Sequence, residues 1–356
     1  MPLTPNITAD ICPQLYSEII DVRSPAEYAE DHLPGAINLP VLSDQERAEV
    51  GTLYKQVSAF VARKKGAALV SKNLSYHLNH HFADHPKGYH PLIYCWRGGQ
   101  RSQSMALVLT QVGWRTTLLK GGYKTYRTYV REQLEQVPYH FSYRVLCGLT
   151  GTAKTEILQR LAQAQVQVLD LEGLANHRGS LLGAAATSAQ PSQKQFESDL
   201  LSALQTFDTA HPVWIEAESN KIGERFVPKA LWDQMQSAPC VEVQAPISSR
   251  VDWLVTHYEH FTHNSALLKD KLNLLRRSYS KAQLQHWYNL IDEQQWPAFV
   301  QSLLEEHYDP AYRRSMKRQY THIQQQHQLP DLSATSLKQL ASKLATVNIN
   351  IDSSLQ

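Results

Sequence analysis

Short apolar runs alternate with stretches of helical periodicity along the first 136 residues of the chain. Runs rich in Ile, Val and Leu between turn residues predict strands, whereas apolar residues spaced three and four apart predict helices. The predicted strands lie at residues 19–23, 89–94 and 116–119, with a turn and a short strand within 32–40, and the predicted helices lie at 24–28, 44–60, 102–112 and 126–136. Alternation of this kind predicts a parallel sheet with helices on both faces.

The same alternation resumes after a connector at residues 136–142. Strands are predicted at 143–147, 167–171, 212–220 and 240–243, with helices at 156–163 and from residue 247 onward. From residue 265 the pattern is helical almost to the end, where residues 336–345 form an amphipathic helix. We therefore predict an α/β chain in three parts: a parallel-sheet domain at 1–137, an α/β domain with a helical extension at 143–325, and a C-terminal helix and tail at 326–356.

Composition limits the class of protein. The chain has 356 residues, 42% hydrophobic and 19% charged, which is ordinary for a globular protein of two or three domains. Its net charge of +2 means that a nucleic-acid surface would be a local basic patch. Without an apolar run of about 18 residues or a signal-peptide pattern, we expect a soluble, cytoplasmic protein. The four cysteines form no Cys-x-x-Cys pair, which argues against a disulfide framework and a structural zinc site, and the 16 histidines are scattered.

Cys95 follows a predicted strand and opens a glycine-rich loop. The N-terminus of the next helix and the charges of Arg97 and Arg101 favour a thiolate, the form that attacks electrophiles or carries sulfur. Gly98 and Gly99 allow positive φ, so several N–H groups can point inward and bind an anion. The alternative is a buried, inert cysteine at the end of a strand.

The second predicted domain begins with a strand, a glycine-containing loop and a helix, which is the context of a P-loop. In such a loop backbone N–H groups wrap a phosphate, Lys154 reaches a phosphate oxygen, and the Thr155 hydroxyl is available to a metal ion. Ala153 stands where the pattern has Gly, and costs about 1 kcal/mol if the position needs positive φ. We expect phosphate binding, whereas Ala153 counts against efficient ATP hydrolysis; the alternative is a chance match. The predicted phosphate-binding residues are Gly148, Thr150, Gly151, Thr152, Ala153, Lys154 and Thr155.

Acidic residues lie near the end of another predicted strand of the second domain. The strand at 212–220 carries Glu216 and Glu218 close to its carboxyl end, the edge of an open α/β sheet where ligands bind. Either glutamate could hold a metal ion or act as a base, and a solvated strand end explains one of them equally well. We assign no residue as a metal ligand at this point.

Basic residues interleaved with aromatic ones mark the predicted helical extension. Such stretches suit contact with RNA phosphates and stacking on bases. Solvated helix faces explain the same pattern equally well. The candidates for RNA contact are Arg276, Arg277, Lys281, Arg313, Arg314, Lys317 and Arg318.

Four segments of the first domain resemble the successive signatures of rhodanese domains. They are Asp21-Val-Arg-Ser-Pro-Ala-Glu-Tyr, His32-Leu-Pro-Gly-Ala-Ile-Asn, the loop that begins at Cys95, and Lys120-Gly-Gly-Tyr. The resemblance implies a cysteine that carries sulfur or selenium as a persulfide or perselenide. A protein phosphatase is the alternative, because Cys95 and Arg101 have the Cys-x5-Arg spacing. Phosphatases of that kind usually have His before the cysteine, where this chain has Tyr94.

The whole chain is similar to the tRNA 2-selenouridine synthase family, in which a rhodanese-like domain precedes a P-loop NTPase-like domain. The resemblance also rests on Asp170-Leu-Glu-Gly-Leu-Ala-Asn-His-Arg-Gly-Ser, Glu216-Ala-Glu-Ser-Asn-Lys-Ile-Gly and Tyr308-Asp-Pro-Ala-Tyr. It implies a transferase that converts 2-thiouridine at the wobble position of the tRNAs for Lys, Glu and Gln into 2-selenouridine. Geranyl diphosphate first alkylates the sulfur, and selenophosphate then supplies the selenium.

The family resemblance also implies roles for individual residues. Cys95 would handle selenium, with Arg97, Arg101 and the loop amides holding the anionic donor, while the P-loop binds the diphosphate. Candidates for the second pocket are His177, Arg178, Glu216 and Glu218, with Arg178 stabilising the departing diphosphate. No tightly bound cofactor is expected, Mg²⁺ is compatible with the P-loop, and the partners are tRNA and a supplier of selenophosphate, with no membrane.

Two other functions fit parts of the sequence. One is an ATP-dependent sulfurtransferase or kinase acting on RNA, with the rhodanese-like domain as sulfur donor. The other is a non-catalytic, tRNA-binding regulatory module. Phosphate release from ATP would distinguish the first, and selenium incorporation after the loss of Cys95 would distinguish the second.

Overall fold

Two parallel β-sheets organise the chain. The structure, a computed structural model, describes residues 4–177, 189–257, 265–320 and 322–350. The chain divides into two units: the first is Met1–Gln133 with Pro191–Ser202, and the second is Leu134–Gln190 with Ala203–Gln356. Each unit has one five-stranded sheet, as the alternating pattern predicts.

The sheet of the first unit has the strand order β1-β5-β4-β2-β3, and all its strand pairs are parallel. Leu92, Ile93 and Tyr94 of β4 are fully buried, as expected for a strand covered on both faces. In the register of β2 and β4, Asp21 pairs with Tyr94, so the two strands end side by side. The strands are β1 Asn6–Thr8, β2 Glu18–Asp21, β3 Ala36–Asn38, β4 Pro91–Tyr94 and β5 Thr117–Leu119.

Serine residues cap the start of two helices of the first unit. Ser43 forms a capping box with Glu46, and the Ser58 hydroxyl accepts the Val61 N–H. This second cap corrects the prediction of a single helix at 44–60, because the first helix ends at Gln56 and a second, longer helix starts at Ala59. The helices are α1 Pro25–Glu30, α2 Asp44–Gln56, α3 Ala59–His80, α4 Gln100–Val112 and α5 Tyr123–Gln136.

One more helix, α8 (Gln193–Leu204), belongs largely to the first unit although it comes much later in the chain. The Lys194 ammonium group lies 2.7 Å from a carboxylate oxygen of Glu30, and Arg127 forms an ion pair with Glu197. Residues 191–202 therefore form a charged contact with α1 and α5 of the first unit.

The sheet of the second unit has the order β12-β11-β6-β8-β7, again with parallel pairs. Strand β6 lies at its centre, so the loop after β6 leaves from the middle of the carboxyl edge. The strands are β6 Tyr143–Cys147, β7 Val168–Leu169, β8 Val213–Glu216, β11 Cys240–Gln244 and β12 Ile323–Gln328, and β9 Lys221–Ile222 pairs antiparallel with β10 Arg225–Phe226.

Strand β12 corrects the prediction that the chain is helical from residue 265 almost to its end. Four of its six residues are Gln, and their side chains are mostly exposed. The strand forms by backbone pairing with β11, in a register that joins Val241 to Gln325 and Val243 to His327. An edge strand can be stabilised in this way without apolar side chains, so hydrophobic periodicity gives no sign of it.

The helices of the second unit include a C-terminal one that packs into the core around α6. Leu337, Leu340 and Leu344 of this helix are buried in one cluster with Ile157 and Leu161 of α6. The helices are α6 Lys154–Gln163, α7 Leu171–Ala175, α9 Lys229–Ser237, α10 Ile247–His257, α11 Ser265–Asn273, α12 Lys281–Asp292, α13 Trp296–Leu303, α14 Asp309–Gln319 and α15 Ala334–Asn350.

Helices α11, α12 and α13 share a separate hydrophobic core. Its centre is Trp287, which is fully buried and packs with Leu272 and Phe299. The Trp287 indole N–H donates a hydrogen bond of 2.9 Å to the Ser302 hydroxyl, so its polar atom is satisfied. Over the described ranges, no helix is long and apolar enough to cross a bilayer.

Replacing Leu337 by Ala tests whether α15 is part of this core. The side chain is 0% exposed, so we expect the free energy of unfolding of the second unit to fall by about 2–5 kcal/mol. Lys338→Ala, on the exposed side of the same helix, should change it by about 0.5 kcal/mol or less. Denaturant unfolding of both variants makes the measurement. Equal effects would show that α15 does not contribute to the core.

Candidate functional site

The Cys95 thiol lies at the carboxyl end of β4, directly before the loop that leads into α4. Its sulfur is surrounded by donors: the Gly99 N–H donates to Sγ over 3.3 Å, and the Ser102 hydroxyl donates over 3.2 Å. The residue is only 3% exposed. Hydrogen bonds to a sulfur atom stabilise negative charge on it, so this loop can hold a thiolate or a chalcogenide anion.

Glycines shape the loop in two places. Gly98 has a φ of +64°, as predicted, but Gly99 has a φ of −93°, because it caps α4 in an extended conformation. Gly122 has a φ of +60°, and a Cβ atom there would lie 2.1 Å from the Cys95 carbonyl oxygen. The neighbouring Tyr123 N–H donates to that same oxygen over 2.8 Å. The Gly-Gly-Tyr segment therefore fixes the backbone of the cysteine loop.

The two arginines of the loop have different surroundings. Arg101 forms an ion pair of 2.6 Å with Glu27, which also pairs with Arg47 at 3.0 Å. Burial opposes ionisation of Glu27, but the two guanidinium groups hold its pKa below the usual value. Arg97 is exposed and lines an open groove of about 730 Å³ together with Lys124. Arg97 is thus the arginine better placed to meet an anion that approaches from solvent.

A buried ion pair lies behind the cysteine loop. Asp21 and Arg23 are both 0% exposed and joined by a contact of 2.6 Å. The Arg23 guanidinium lies 4.0 Å from the centre of the Tyr123 ring, and the Tyr123 hydroxyl donates to Asp31 over 2.7 Å. The Asp-Val-Arg signature therefore holds the tyrosine whose N–H bonds the Cys95 carbonyl.

The predicted P-loop joins the central strand β6 to α6. Gly148 and Gly151 have φ values of +154° and +83°. Ala153 is the N-cap residue of α6 and has a φ of +58° and a ψ of +30°. The positive φ considered from the sequence at this position is therefore present, and it strains an alanine. The loop has the backbone form of a phosphate-binding loop, with an alanine in a position that favours glycine.

Lys154 is the main charge inside this loop. Its ammonium group is 8% exposed, donates to the Gly148 carbonyl over 2.9 Å, and lies 3.5 Å from a carboxylate oxygen of Glu216. It also lies 5.5 Å from the centre of the Tyr312 ring. A cation in this position can bind a phosphate oxygen without moving out of the loop.

Two residues from distant parts of the chain contact the P-loop and a third pairs with one of them, and none of the three was among the predicted site residues. The Gly148 N–H donates to the Tyr312 hydroxyl over 3.0 Å. Arg250 donates to the Thr150 carbonyl over 2.8 Å and forms a 2.6 Å ion pair with Asp309. The sequence signal for Asp309 and Tyr312 was the Tyr308-Asp-Pro-Ala-Tyr segment, which carried no assigned role.

Three glutamates meet beside the first turn of α6. The Thr155 hydroxyl lies 3.0 Å from a Glu216 oxygen and 3.3 Å from a Glu172 oxygen. Glu172, Glu216 and Glu218 each offer one oxygen within 4.8 Å of the others. Burial and the charge of Glu216 raise the pKa of Glu172 to about 10 and that of Glu218 to about 7. Glu172 was not predicted as a site residue.

This cluster fits a hard divalent cation such as Mg²⁺. Carboxylate and hydroxyl oxygens are the ligands that Mg²⁺ prefers, often completed by phosphate oxygens of a substrate. At neutral pH the raised pKa values mean that protons compensate the crowded charges, and a bound cation would replace them. Glu172, Glu216, Glu218 and Thr155 could therefore hold an ion next to a phosphate bound by Lys154.

The remaining candidates are spread over the second unit. The His177 N–H donates to the Glu172 carbonyl over 3.0 Å, and burial, with a contribution from Lys271, lowers the pKa of the His177 ring. Arg178 lies outside the described residues, and the side chains of Lys317 and Arg318 are likewise outside the described part. The others are exposed, on the turn Leu274–Arg277, at the start of α12 and on α14, namely Arg276, Arg277, Lys281, Arg313 and Arg314.

The two sites define the class of the protein. A loop cysteine at the carboxyl edge of the first sheet is the arrangement of a rhodanese-like domain, and the second unit is a P-loop α/β domain. Comparison with models of known protein families supports this division. Residues 8–128 match the model of the rhodanese-like domain, and residues 141–342 match that of the tRNA 2-selenouridine synthase AAA domain.

Relatives cover both domains. The chain is 35% identical to the tRNA 2-selenouridine synthase of Nitrosomonas europaea, over 71% of this chain and 67% of that protein. It is 32% identical to the enzyme of the same name from Alcanivorax borkumensis, over 84% of this chain and 90% of that protein. The chain belongs to the tRNA 2-selenouridine synthase family.

Replacing Ala153 by Gly tests the strain in the P-loop. A left-handed alanine costs roughly 1–2 kcal/mol and a glycine costs some unfolded-state entropy, so we expect a net gain of about 0.5–1 kcal/mol in the free energy of unfolding. Ala162→Gly, in the same helix with ordinary φ, should instead cost up to about 1 kcal/mol. Denaturant unfolding compares them. A loss of stability in both variants would contradict the strain.

Proposed function

We propose that this protein replaces the sulfur of 2-thiouridine at the wobble position of tRNA by selenium, in two steps in which S-geranyl-2-thiouridine is the intermediate. The tRNAs for Lys, Glu and Gln are the proposed substrates. The observation that carries the proposal is that one chain of this family has a hydrogen-bonded thiol loop around Cys95 and a phosphate-binding loop around Lys154. We further propose that the enzyme acts in the cytoplasm and receives its selenium from a supplier of selenophosphate.

In the first proposed step, the sulfur on C2 of the base attacks C1 of geranyl diphosphate. A carbon–sulfur bond forms, the carbon–oxygen bond breaks, diphosphate leaves, and the base loses its N3 proton. The leaving group gains negative charge, so fixed positive groups at the P-loop favour the transition state. Lys154 and the loop N–H groups are proposed to bind the diphosphate, and a cation held by Glu172, Glu216 and Glu218 would neutralise part of its charge.

In the second proposed step, the selenium of selenophosphate attacks C2 of the base. The carbon–sulfur bond breaks, the geranyl thiolate leaves and takes up a proton, and hydrolysis of the phosphorus–selenium bond then releases phosphate. No oxidant is needed, because selenium stays at the selenide level throughout. We assign this step to the Cys95 loop, where the Gly99 N–H, the Ser102 hydroxyl and the exposed Arg97 can hold the anionic donor.

Contact with tRNA is assigned to exposed basic residues of the second unit. Arg276 and Arg277 lie on the turn before α12, and Arg313 and Arg314 lie on α14. Phosphate contacts of this kind release counterions, so binding should weaken with salt. The near-neutral net charge of +2 is consistent with a local patch.

A second function remains a candidate because of one observation. The glutamate cluster with Thr155 is also what a nucleotide-hydrolysing P-loop needs to bind Mg²⁺. An ATP-dependent sulfurtransferase or kinase would release phosphate from ATP in a Lys154-dependent manner without prenyl substrate. The left-handed backbone of Ala153, at a position that favours glycine, counts against efficient ATP hydrolysis and so favours the geranyl pathway, whose two steps need no ATP.

Two variants separate the steps. With tRNA, geranyl diphosphate and selenophosphate, Cys95→Ser should accumulate the geranylated nucleoside and lose selenouridine. Lys154→Ala should slow geranylation by about 100-fold or more, because it removes a charge at the leaving group. Mass spectrometry of digested tRNA measures both products.

Matched controls are available for both variants. Cys12 is an exposed free cysteine that lines the same groove as Arg97, so Cys12→Ser controls for the loss of a neighbouring thiol and should keep selenouridine formation. Lys338→Ala is an exposed lysine control. Unchanged selenouridine in Cys95→Ser would remove Cys95 from the reaction and leave the non-catalytic alternative. Lys154-dependent ATP turnover without geranylation would favour the sulfurtransferase or kinase.

A further inference from the structure

A second cluster of metal-binding side chains lies in the first unit, at the edge of the sheet opposite the Cys95 loop. Glu18 begins β2, His81 caps the end of α3, and His85 follows in the next turn. Cys95 comes after the carboxyl end of β4, whereas Glu18 pairs with Pro91 at the amino end of that strand. The cluster therefore belongs to neither of the sites assigned above.

The geometry of the cluster suits a transition metal. Glu18, His81 and His85 each offer one ligand atom, and these atoms all lie within 4.8 Å of one another. The His81 Nε2 and Glu18 Oε2 atoms are 2.8 Å apart. Ligand atoms around a tetrahedral zinc ion are about 3.4 Å apart, so small side-chain movements would suffice to bind one.

An unsatisfied ring nitrogen is the second observation. The His85 Nε2 atom is buried and has no hydrogen-bond partner among the described residues. A buried polar nitrogen without a partner costs free energy, and a metal ion bound through that atom would satisfy it. The His81 and Glu18 side chains are 26% and 22% exposed, so an ion can enter from solvent.

Neighbouring side chains hold the ligands in place. The Tyr89 hydroxyl donates a hydrogen bond to the same Glu18 oxygen that faces His81. The Tyr89 ring also packs against the His85 ring, with centroids 4.1 Å apart. Hydrogen-bonded carboxylates and packed imidazoles of this kind are the usual support of metal ligands.

We propose that Glu18, His81 and His85 bind a divalent transition-metal ion such as Zn²⁺. Two imidazoles and one carboxylate are a common zinc ligand set, and a water molecule would complete the tetrahedron. The ion joins the start of β2 to the end of α3 and the following turn, so it stabilises the first unit and takes no part in the chemistry at Cys95. The sequence argument against structural zinc concerned cysteine spacing alone.

The test uses the full-length, tag-free protein with Cys95→Ser, which prevents zinc capture by that thiol. After treatment with EDTA, the protein is equilibrated with zinc in a chelator buffer, and bound zinc is measured by mass spectrometry. Variants are His81→Gln, His85→Gln and Tyr89→Phe, and His80→Gln, an exposed neighbour at the end of α3, is the control. Cobalt absorption reports tetrahedral coordination independently.

We expect the parent protein and His80→Gln to bind one more zinc ion per chain than His81→Gln or His85→Gln. Zinc should raise the melting temperature of the parent but not of those two variants. Tyr89→Phe should weaken zinc binding by about tenfold. Equal zinc content in the parent Cys95→Ser protein and both histidine variants would overturn the proposal. It would also be overturned if the parent bound no zinc, or if its cobalt spectrum were not tetrahedral. If a histidine variant fails to fold, the cobalt spectrum of the parent protein and the zinc affinity of Tyr89→Phe still test whether the site binds a metal ion.

Discussion

The buried ammonium group of Lys154 is the charge on which the second unit depends. It is bound to the Gly148 carbonyl, lies close to Glu216 and faces the Tyr312 ring. At 8% exposure the ammonium group has lost most of its contact with water, and these partners replace part of that lost solvation. The same partners fix the loop, because the Tyr312 hydroxyl also accepts the Gly148 N–H. The same contacts therefore compensate the charge of Lys154 and fix the shape of the loop, so the positive charge that we propose to bind a phosphate is already held in place.

The Cys95 site of the first unit also depends on which of its polar and charged groups are already paired. Cys95 is surrounded by neutral donors, the Gly99 N–H and the Ser102 hydroxyl, and the nearby Arg101 is already paired with Glu27. An anion would therefore meet backbone amides and the exposed Arg97 first. This arrangement is compatible with the proposed binding of an anionic selenium donor at the Cys95 loop, and the buried lysine of the P-loop is compatible with the proposed binding of a diphosphate.

The two loops at Cys95 and Lys154 could be predicted because each is formed by residues that are neighbours in the sequence. A strand, a glycine-containing loop and a helix follow one another at Cys95 and at Lys154, and the structure has both in that order. Contacts over long distances in the chain could not be predicted this way. Arg250, which pairs with Asp309, and Tyr312 reach the P-loop from a hundred or more positions away. Glu172 joins Glu216 only through the sheet order, and β12 forms by backbone pairing without an apolar pattern. The pairing of Arg101 with Glu27 likewise depends on the folded chain.

Binding of inorganic diphosphate in the presence of Mg²⁺, measured by calorimetry, tests the central claim about Lys154 most directly. A charge-assisted contact is worth about 1.5–3 kcal/mol, so Lys154→Ala should weaken diphosphate binding by at least about tenfold. Cys95→Ser should leave it unchanged, because that thiol belongs to the other sheet. Diphosphate binding of equal strength in Lys154→Ala and the unmodified protein would contradict the account.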